Sequence, residues 1–206
     1  EQLLGSARGI IVPGGFGERG LEGMIAAANY ARHSNIPYLG LCLGMQIMVV
    51  EYARNELGIT DATSLEIDPD AANPVIAFME GQEELHSTGG TMRLGVYPCL
   101  LKEGTKVREA YDQETVDERH RHRYEFNNEY RVQLEEAGLI ASGTSPDGSL
   151  VEVTEVYGHP FMVGSQFHPE FGSRPERPHP LFREFIRMAR FTLREGGQHD
   201  LFEEEE

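Results

Sequence analysis

The stretch Tyr38-Leu39-Gly40-Leu41-Cys42-Leu43-Gly44-Met45-Gln46 decides the fold of this chain. Its first four residues form an apolar run typical of a buried β-strand, and the apolar spacing over residues 43–57 predicts a helix. No loop separates the two, and a cysteine stands at the junction. The pattern Gly-x-Cys-x-Gly is the cysteine counterpart of the Gly-x-Ser-x-Gly nucleophile elbow, a sharp strand-to-helix turn that exposes a nucleophile.

Steric crowding explains the two glycines of this pattern. So sharp a turn strains the backbone of the nucleophile and crowds the residues two before and two after it. Gly40 and Gly44 relieve the crowding because glycine has no Cβ. The Cys42 thiol would then lie at a helix N-terminus, where the helix dipole favours the thiolate. The alternative is a small buried core residue, the ordinary place for a free cysteine. The strand-to-helix context favours the nucleophile.

The composition indicates an acidic globular domain. The chain has 206 residues and a hydrophobic share of 39%, enough for one domain with a core. Its net charge of −16 argues against general nucleic-acid binding, which needs clustered lysines and arginines. No apolar run is long enough to span a membrane, so we expect no membrane partner. Two cysteines give no disulfide framework, which favours a reducing compartment, the cytoplasm. Residues 196–206 read as a solvated acidic tail.

The order of the predicted elements indicates an α/β protein. A strand over residues 7–12, a glycine-rich turn, a helix over residues 21–32 and the strand before Cys42 imply a parallel sheet flanked by helices. We expect a mostly parallel open sheet with an additional antiparallel portion, since the last third begins as a meander. The remaining expectations are a loop over residues 61–74, sheet segments over 91–101 and 106–110, a short helix over 130–137 ending at Gly138, strands over 139–144, 150–156 and 161–167, and an amphipathic helix over 180–193.

The glycine-rich turn Pro13-Gly14-Gly15-Phe16-Gly17-Glu18-Arg19-Gly20 has two interpretations. Its Gly-x-Gly-x-x-Gly spacing after a strand matches the dinucleotide fingerprint. That fingerprint expects a carboxylate about 20 residues on, at the end of the second strand, to bind ribose. That strand ends in Gly40-Leu41-Cys42 without one, so we disfavour a dinucleotide site. The better use of Gly14 and Gly15 is backbone N–H donation to a developing oxyanion.

Arginines and histidines alternate in Glu118-Arg119-His120-Arg121-His122-Arg123-Tyr124-Glu125. A strand would send the two residue types to opposite faces. The histidine pair suggests a metal site, but no cysteine or carboxylate cluster beside it completes a ligand set of recognisable spacing, so we expect no metal. The arginines form either an anion-binding edge or surface salt bridges with the many acids. The local chemistry leaves both open.

His168-Pro169-Glu170 follows the last predicted strand. A nucleophilic cysteine needs a base within hydrogen-bond reach and a third group that orients the base. His168 and Glu170 are two residues apart, so both side chains could project from one strand end. A lone histidine is more often structural. In a chain that also carries the cysteine elbow, the pair predicts the base and its orienting carboxylate.

The Pro-Gly-Gly turn, the cysteine elbow and the downstream His-Pro-Glu together resemble class I (triad-type) glutamine amidotransferases, over nearly the whole chain. Residues 13–20, 40–46, 118–125 and 165–171 look like the corresponding blocks of glutaminase domains of CTP synthases. The Arg-His-Arg-His-Arg-Tyr-Glu block is the most discriminating, because related glutaminases lack it. The resemblance implies a flavodoxin-like α/β fold and hydrolysis of L-glutamine to glutamate and ammonia by a Cys-His-Glu triad.

The resemblance also implies the catalytic roles. Cys42 would form a γ-glutamyl thioester, His168 would be general base and then acid, and Glu170 would orient His168. Backbone N–H groups of Gly15 and Leu43 would form the oxyanion hole and contact the substrate.

Other matching residues would bind small molecules. Gln46, Glu66 and Arg123 would hold the α-amino and α-carboxylate groups of glutamine. The charges fit, because a carboxylate suits an ammonium and a guanidinium suits a carboxylate. GTP would activate the glutaminase allosterically from a nearby site. The candidate GTP contacts are Phe16, Arg19, Arg119 and Arg121.

The resemblance finally implies a larger enzyme. The glutaminase domain itself would need no cofactor. Its ammonia would pass to a separate synthase domain of the parent chain, which uses ATP, Mg and UTP to make CTP in a homotetramer. We expect residues 1–195 to form the amidotransferase domain without its first strand–helix unit. Three other functions stay open: another class I amidotransferase, another hydrolase on the same triad, such as a γ-glutamyl hydrolase or cysteine peptidase, and a non-catalytic nucleotide-sensing module.

Overall fold

The computed structural model describes residues 4–78 and 92–192, and the predicted α/β class is confirmed. The predicted acidic tail lies outside the described residues. No helix of the described part is both long enough and apolar enough to cross a membrane. Two one-turn 3₁₀ helices cover Asn128–Tyr130 and Pro169–Phe171. The other elements are β1 (Ile10–Val12), α1 (Leu21–His33), β2 (Tyr38–Leu41), α2 (Leu43–Asn55), β3 (Thr63–Ser64), β4 (Pro74–Phe78), β5 (Arg93–Leu101), α3 (Lys106–Tyr111), β6 (Thr115–His122), β7 (Tyr124–Phe126), α4 (Arg131–Ala137), β8 (Leu139–Thr144), β9 (Val151–Val156), β10 (Met162–Ser165) and α5 (Pro180–Phe191).

The large sheet has a parallel part and an antiparallel part. Its strand order is β1-β2-β10-β9-β8-β5-β6, and β2 pairs in parallel with both β1 and β10. The other neighbouring strands pair antiparallel. Among the described strands antiparallel pairs therefore outnumber parallel ones, because short turns join β8, β9 and β10, and short turns connect antiparallel neighbours.

Strand β2 lies at the centre of the parallel part, with both faces covered. Leu39 and Leu41 pack on the side of α5, in a cluster with Phe161 and Phe185. Tyr38 packs on the opposite side, in the cluster that contains most of the buried residues of α2. This two-sided burial explains why β2 is a continuous apolar run rather than an alternating one.

The turn at Cys42 is as tight as its glycines predict. Cys42 has φ 51° and ψ −101°, a strained conformation for a non-glycine residue. A Cβ on Gly40 would lie 2.4 Å from the carbonyl oxygen of Gly44. A Cβ on Gly44 would lie 2.0 Å from the carbonyl oxygen of Val12. The expected crowding is confirmed at Gly40. Gly44 is crowded instead by the neighbouring strand β1, so the turn also fixes how α2 packs on the sheet.

The predicted sheet segment over residues 106–110 is wrong, because these residues form α3. The Thr105 hydroxyl caps the helix by accepting the N–H of Arg108 at 3.3 Å. The buried carboxylate of Glu155, on β9, accepts the N–H groups of Lys106 and Val107 at 3.1 and 3.3 Å. The Glu155 carboxylate thus accepts hydrogen bonds from N–H groups that the N-terminus of a helix leaves without partners.

The predicted loop over residues 61–74 is only partly a loop. It contains the two-residue strand β3, which pairs in parallel with β4. Strand β4 in turn pairs antiparallel with β7 and completes a second, three-stranded sheet. Elsewhere the predicted helices and strands are present, β2 and β8 with the predicted bounds and the others with shifted ends. The last strand, expected over residues 161–167, stops at Ser165, so His168 and Glu170 lie at a 3₁₀ turn beyond it.

Strand β6 alternates as predicted, with arginines outside and histidines inside. His120 and His122 are 1% and 2% exposed. His122 Nδ1 lies 3.1 Å from the Tyr124 carbonyl, which can only accept, so that nitrogen carries the proton. His122 Nε2 then accepts from His120 Nδ1 at 3.1 Å. Burial, together with the nearby Arg93 guanidinium, lowers the pKa of His120 to about 2 and that of His122 to about 3.

This buried pair predicts acid destabilisation. Below pH about 6.5 the unfolded chain protonates both histidines while the folded chain keeps them neutral. The free energy of unfolding should therefore fall by roughly 1.4 kcal/mol per pH unit for each histidine as the pH drops from 6.5 towards 4. The free energy of unfolding of H120N or H122N, measured by urea titration at several pH values in this range, should depend less steeply on pH by that amount. H33N, which removes an exposed histidine, gives the matched control. The same pH dependence of the unfolding free energy in wild type, H120N, H122N and H33N would contradict a neutral buried pair.

Candidate active site

Cys42 stands at the first turn of α2, against the ends of two other strands. Its backbone N–H donates to the carbonyl of Ser165 at 2.7 Å, which ties the turn to β10. Its Sγ atom lies 4.0 Å from the carbonyl oxygen of Arg121, on β6. The side chain is 4% exposed and is a free thiol. The residue therefore sits at the carboxyl ends of the parallel strands, where open α/β sheets bind their ligands.

His168 is held on both of its sides. Its backbone N–H donates to the carbonyl of Arg119 at 2.8 Å, and its Nδ1 lies 2.6 Å from Oε1 of Glu170. The Cys42 sulfur and the Glu170 carboxylate raise the pKa of His168 to about 10. Partial burial would raise the pKa of Glu170, but the hydrogen bond from His168 and nearby positive charge lower it below its usual range. An imidazolium oriented by a carboxylate is thus favoured beside the sulfur.

The two side chains border one cavity of about 480 Å³. Its lining includes Cys42, His168 and Glu170, which the sequence predicted to lie together. A Cβ on Gly14 would lie 2.9 Å from Cε1 of His168 and 3.6 Å from Cβ of Cys42, so only a glycine leaves room for both side chains here. Among the described residues His168 Nε2 has no hydrogen-bond partner. This looser geometry is common in unliganded sites, where catalytic hydrogen bonds tighten only with substrate.

The predicted oxyanion donors lie side by side. Leu43 is the first residue of α2, so its N–H has no acceptor within the helix. A Cβ on Gly15 would lie 3.1 Å from Cδ2 of Leu43, and Gly15 lines the cavity. Their roles as donors stay predictions.

The residues predicted to bind glutamine gather around Tyr124. Gln46 Nε2 donates to the Tyr124 carbonyl at 2.9 Å. Burial first, and then the Glu66 charge, raise the pKa of Tyr124, whereas Arg123 lowers it, so both charged groups lie near this ring. Glu66 Oε1 accepts the Gly17 N–H at 2.9 Å, and Arg123 Nε is buried without a partner among the described residues. The structure thus places one anionic and one cationic group near the Tyr124 ring, and none of the three predicted residues is in the lining of the cavity that holds Cys42. Their role in binding glutamine stays a prediction.

The candidate GTP contacts are divided between two adjoining cavities. Phe16 and Arg121 line the cavity that holds Cys42. Arg119 and Arg121 line a second cavity of about 530 Å³ with Phe171, and the Arg119 guanidinium lies 5.8 Å from the Phe171 ring centre. Arg19 is exposed in the turn before α1 and lies in neither lining.

The histidine pair has a carboxylate neighbour that its own segment does not reveal. Glu152, on β9, brings an oxygen close to the pair, so that three ligand atoms from His120, His122 and Glu152 lie within 4.8 Å of one another. The other Glu152 oxygen forms a buried ion pair with Arg93. A guanidinium therefore already neutralises this carboxylate, and a divalent ion here would add uncompensated buried charge. That the domain binds no metal stays a prediction.

Gln166, which no motif in the sequence singled out, lies against the sulfur of Cys42. Its Nε2 lies 3.6 Å from Cys42 Sγ, and the side chain is fully buried. The signal available in the sequence was its position two residues before His168, which in an extended chain points both side chains the same way.

Comparisons with known proteins agree with this geometry. The family model described as "Glutamine amidotransferase class-I" matches residues 1–188. A CTP synthase of Dehalococcoides mccartyi is 59% identical over 201 residues, which is 98% of this chain and 37% of that protein. A CTP synthase of Bacillus subtilis is 60% identical over 185 residues, or 90% of this chain and 35% of that protein. The chain thus spans little more than a third of these curated relatives.

A solved structure covers most of the same region. It is described as the Trypanosoma brucei CTPS glutaminase domain with bound acivicin, and it is 39% identical to this chain. The TM-score is 0.86, and the match covers 91% of this chain and 73% of that one.

The lack of room for a side chain between Gly14 and His168 gives a test of the site. In G14A the new methyl group would press on the His168 imidazole, which Glu170 holds at Nδ1 while the Arg119 carbonyl fixes the backbone of the residue. Displacements of about 1 Å can cost roughly 10²-fold in rate, and we expect ammonia release from glutamine to fall by about that factor. G23A is the matched control, since a Cβ there meets nothing within 4 Å. A G14A protein as active as G23A would contradict the described packing.

Proposed function

The chain belongs to the class I glutamine amidotransferases and, within them, to the glutaminase domains of CTP synthase, and from this premise we propose how it hydrolyses L-glutamine. The supporting observation is that Cys42, His168 and Glu170 border one cavity, with His168 hydrogen-bonded to Glu170 at 2.6 Å. The raised pKa of His168, caused by the Cys42 sulfur and the Glu170 carboxylate, supports an imidazolium beside the nucleophile at neutral pH.

In the first step the Cys42 thiolate attacks the side-chain amide carbon of glutamine. The carbonyl oxygen becomes an oxyanion, which the N–H groups of Gly15 and Leu43 stabilise. One such donor is typically worth roughly 10²–10³ in rate. His168 gives its proton to the amide nitrogen, the C–N bond breaks, and ammonia leaves a γ-glutamyl thioester on the sulfur.

In the second step water attacks the thioester. His168, now neutral, takes a proton from the water, and the C–S bond breaks to release glutamate and the Cys42 thiolate. Glu170 orients the imidazole in both steps, so that the same nitrogen faces the reacting atoms. The cycle returns the pair to its starting protonation state.

Substrate selection in this proposal uses opposite charges. Glu66 holds the α-ammonium group, Arg123 holds the α-carboxylate, and Gln46 adds a hydrogen bond. The Arg123 Nε atom, which is buried and without a partner among the described residues, is the kind of unsatisfied donor that a carboxylate would satisfy. An interior residue of an ordinary α-linked peptide would present neither charge, which argues against a cysteine peptidase. A γ-glutamyl peptide carries both charges, so the assay below has to separate it from glutamine.

The rest of the proposed cycle lies in the parent enzyme. We propose that the ammonia serves a synthase domain for ATP-dependent amination of UTP to CTP, in the cytoplasm and in a homotetramer. GTP is the proposed activator. Two exposed arginines and the Phe16 and Phe171 rings around adjoining cavities offer charges for phosphates and faces for a purine.

A glutaminase assay tests the proposal. We expect the wild-type chain to release ammonia from L-glutamine, faster with GTP, and C42A to lose this activity at least 10³-fold, as loss of a nucleophile typically does. A glutamine-mimicking diazoketone should label Cys42 and leave C42A unlabelled. C99A is the matched control and should keep both properties. A folded wild-type chain that is neither labelled by the analogue nor active would overturn the proposal. Hydrolysis of γ-glutamyl peptides in preference to glutamine would favour the hydrolase instead.

A further inference from the structure

The amide of Gln166 faces the sulfur of Cys42 inside the protein. We propose that Gln166 donates a hydrogen bond to the Cys42 thiolate and so helps to keep the sulfur ionised. The inference rests on the proposed function, because it concerns the same nucleophile. The contact is 3.6 Å from Nε2 to Sγ, and neither side chain is more than 4% exposed.

The orientation of the Gln166 amide follows from a chain of hydrogen bonds. The Tyr124 carbonyl can only accept, so the Gln46 group 2.9 Å from it must be the amino group. The same amino group donates to Oε1 of Gln166 at 3.3 Å. The amino group of Gln166 is thereby left to face Cys42. The opposite orientation would set two amino groups against each other and a carbonyl oxygen against the thiolate.

The backbone also fixes Gln166 at this distance. Its N–H donates to the carbonyl of Glu152 at 2.8 Å, and the preceding carbonyl, of Ser165, accepts the N–H of Cys42 at 2.7 Å. The residue is thus tied to β9 on one side and to the cysteine turn on the other. A side chain held at both its backbone and its amide loses little conformational entropy when it contacts the sulfur.

Two neighbours of the sulfur favour opposite protonation states. The Arg121 carbonyl oxygen, 4.0 Å from Sγ, could accept only from a thiol. The Gln166 amino group, 3.6 Å away, donates and therefore favours the thiolate. The donor is closer, and hydrogen bonds to charged groups are the stronger kind. Gln166 thus acts on the sulfur from one direction and His168 from another.

The pH dependence of alkylation of Cys42 by iodoacetamide measures this effect, because only the thiolate reacts. Q166M removes the donor at nearly constant volume, and Q166E keeps the acceptor for Gln46 but turns a carboxylate towards the sulfur. The alkylation rate should rise with pH as the thiol ionises. We expect the midpoint of this rise to move up by about one pH unit in Q166M and by more in Q166E. Below the midpoint, alkylation should slow by about tenfold for each pH unit by which the midpoint rises.

A third variant and a control separate this role from a structural one. Q46M leaves Gln166 in place but frees its amide to rotate, so the midpoint should rise by less than in Q166M. T154V, on the neighbouring strand, alters a fully buried hydroxyl that has no partner among the described residues and should keep the wild-type midpoint. Thermal unfolding confirms that each variant is folded.

The possible outcomes are distinct. Ordered rises in Q46M, Q166M and Q166E would establish the donor role, whether or not the chain hydrolyses glutamine. Midpoints within about 0.2 pH units of wild type in folded Q166M and Q166E would overturn it, even if glutaminase activity were present. Because alkylation needs no glutamine, failure of the proposed function and failure of this inference give different results.

Discussion

The close approach of α2 to β1 is the constraint on which the site depends. A carbonyl oxygen of β1 lies where any side chain at Gly44 would have to be, and the first turn of α2 lies where a side chain at Gly40 would be. Only because neither residue has a side chain can the chain turn from strand to helix within one residue. Cys42 takes the strained conformation that results, at the start of a helix and at the ends of the parallel strands. Strain of this kind persists only where surrounding packing enforces it.

The second requirement is a strand that ends beside β2, so that His168 and Gln166, which follow this strand, lie near the sulfur of Cys42. Strand β10 meets this requirement, because it pairs directly with β2 and runs parallel to it. The two strands end together, so residues that follow each of them meet. Strand β6 then closes the site with backbone atoms, since the carbonyls of Arg119 and Arg121 face His168 and Cys42. Because β6 uses backbone atoms for these contacts, its arginine side chains can be exposed to solvent and its histidine side chains can be buried.

The sequence predicted the parts of this site that follow from local rules. The glycines around Cys42 predicted the turn, and the two-residue spacing of His168 and Glu170 predicted their pairing, which is observed. The missed features depend on contacts between distant segments. Helix α3 is capped by Glu155, about 50 residues further along the chain. The carboxylate beside the histidine pair, Glu152, comes from another strand. No local pattern distinguishes such residues from ordinary strand residues.

The most direct measurement is the rate at which iodoacetamide alkylates the two cysteines of the native protein at neutral pH, resolved by peptide mapping. Cys99 is the internal reference, because its thiol is fully buried and burial raises its pKa. If His168 activates Cys42, Cys42 alone is modified rapidly, and that rate falls at least tenfold in H168A, since the imidazolium no longer favours the thiolate. Equal rates in wild type and H168A, or equal modification of Cys42 and Cys99, would contradict this activation.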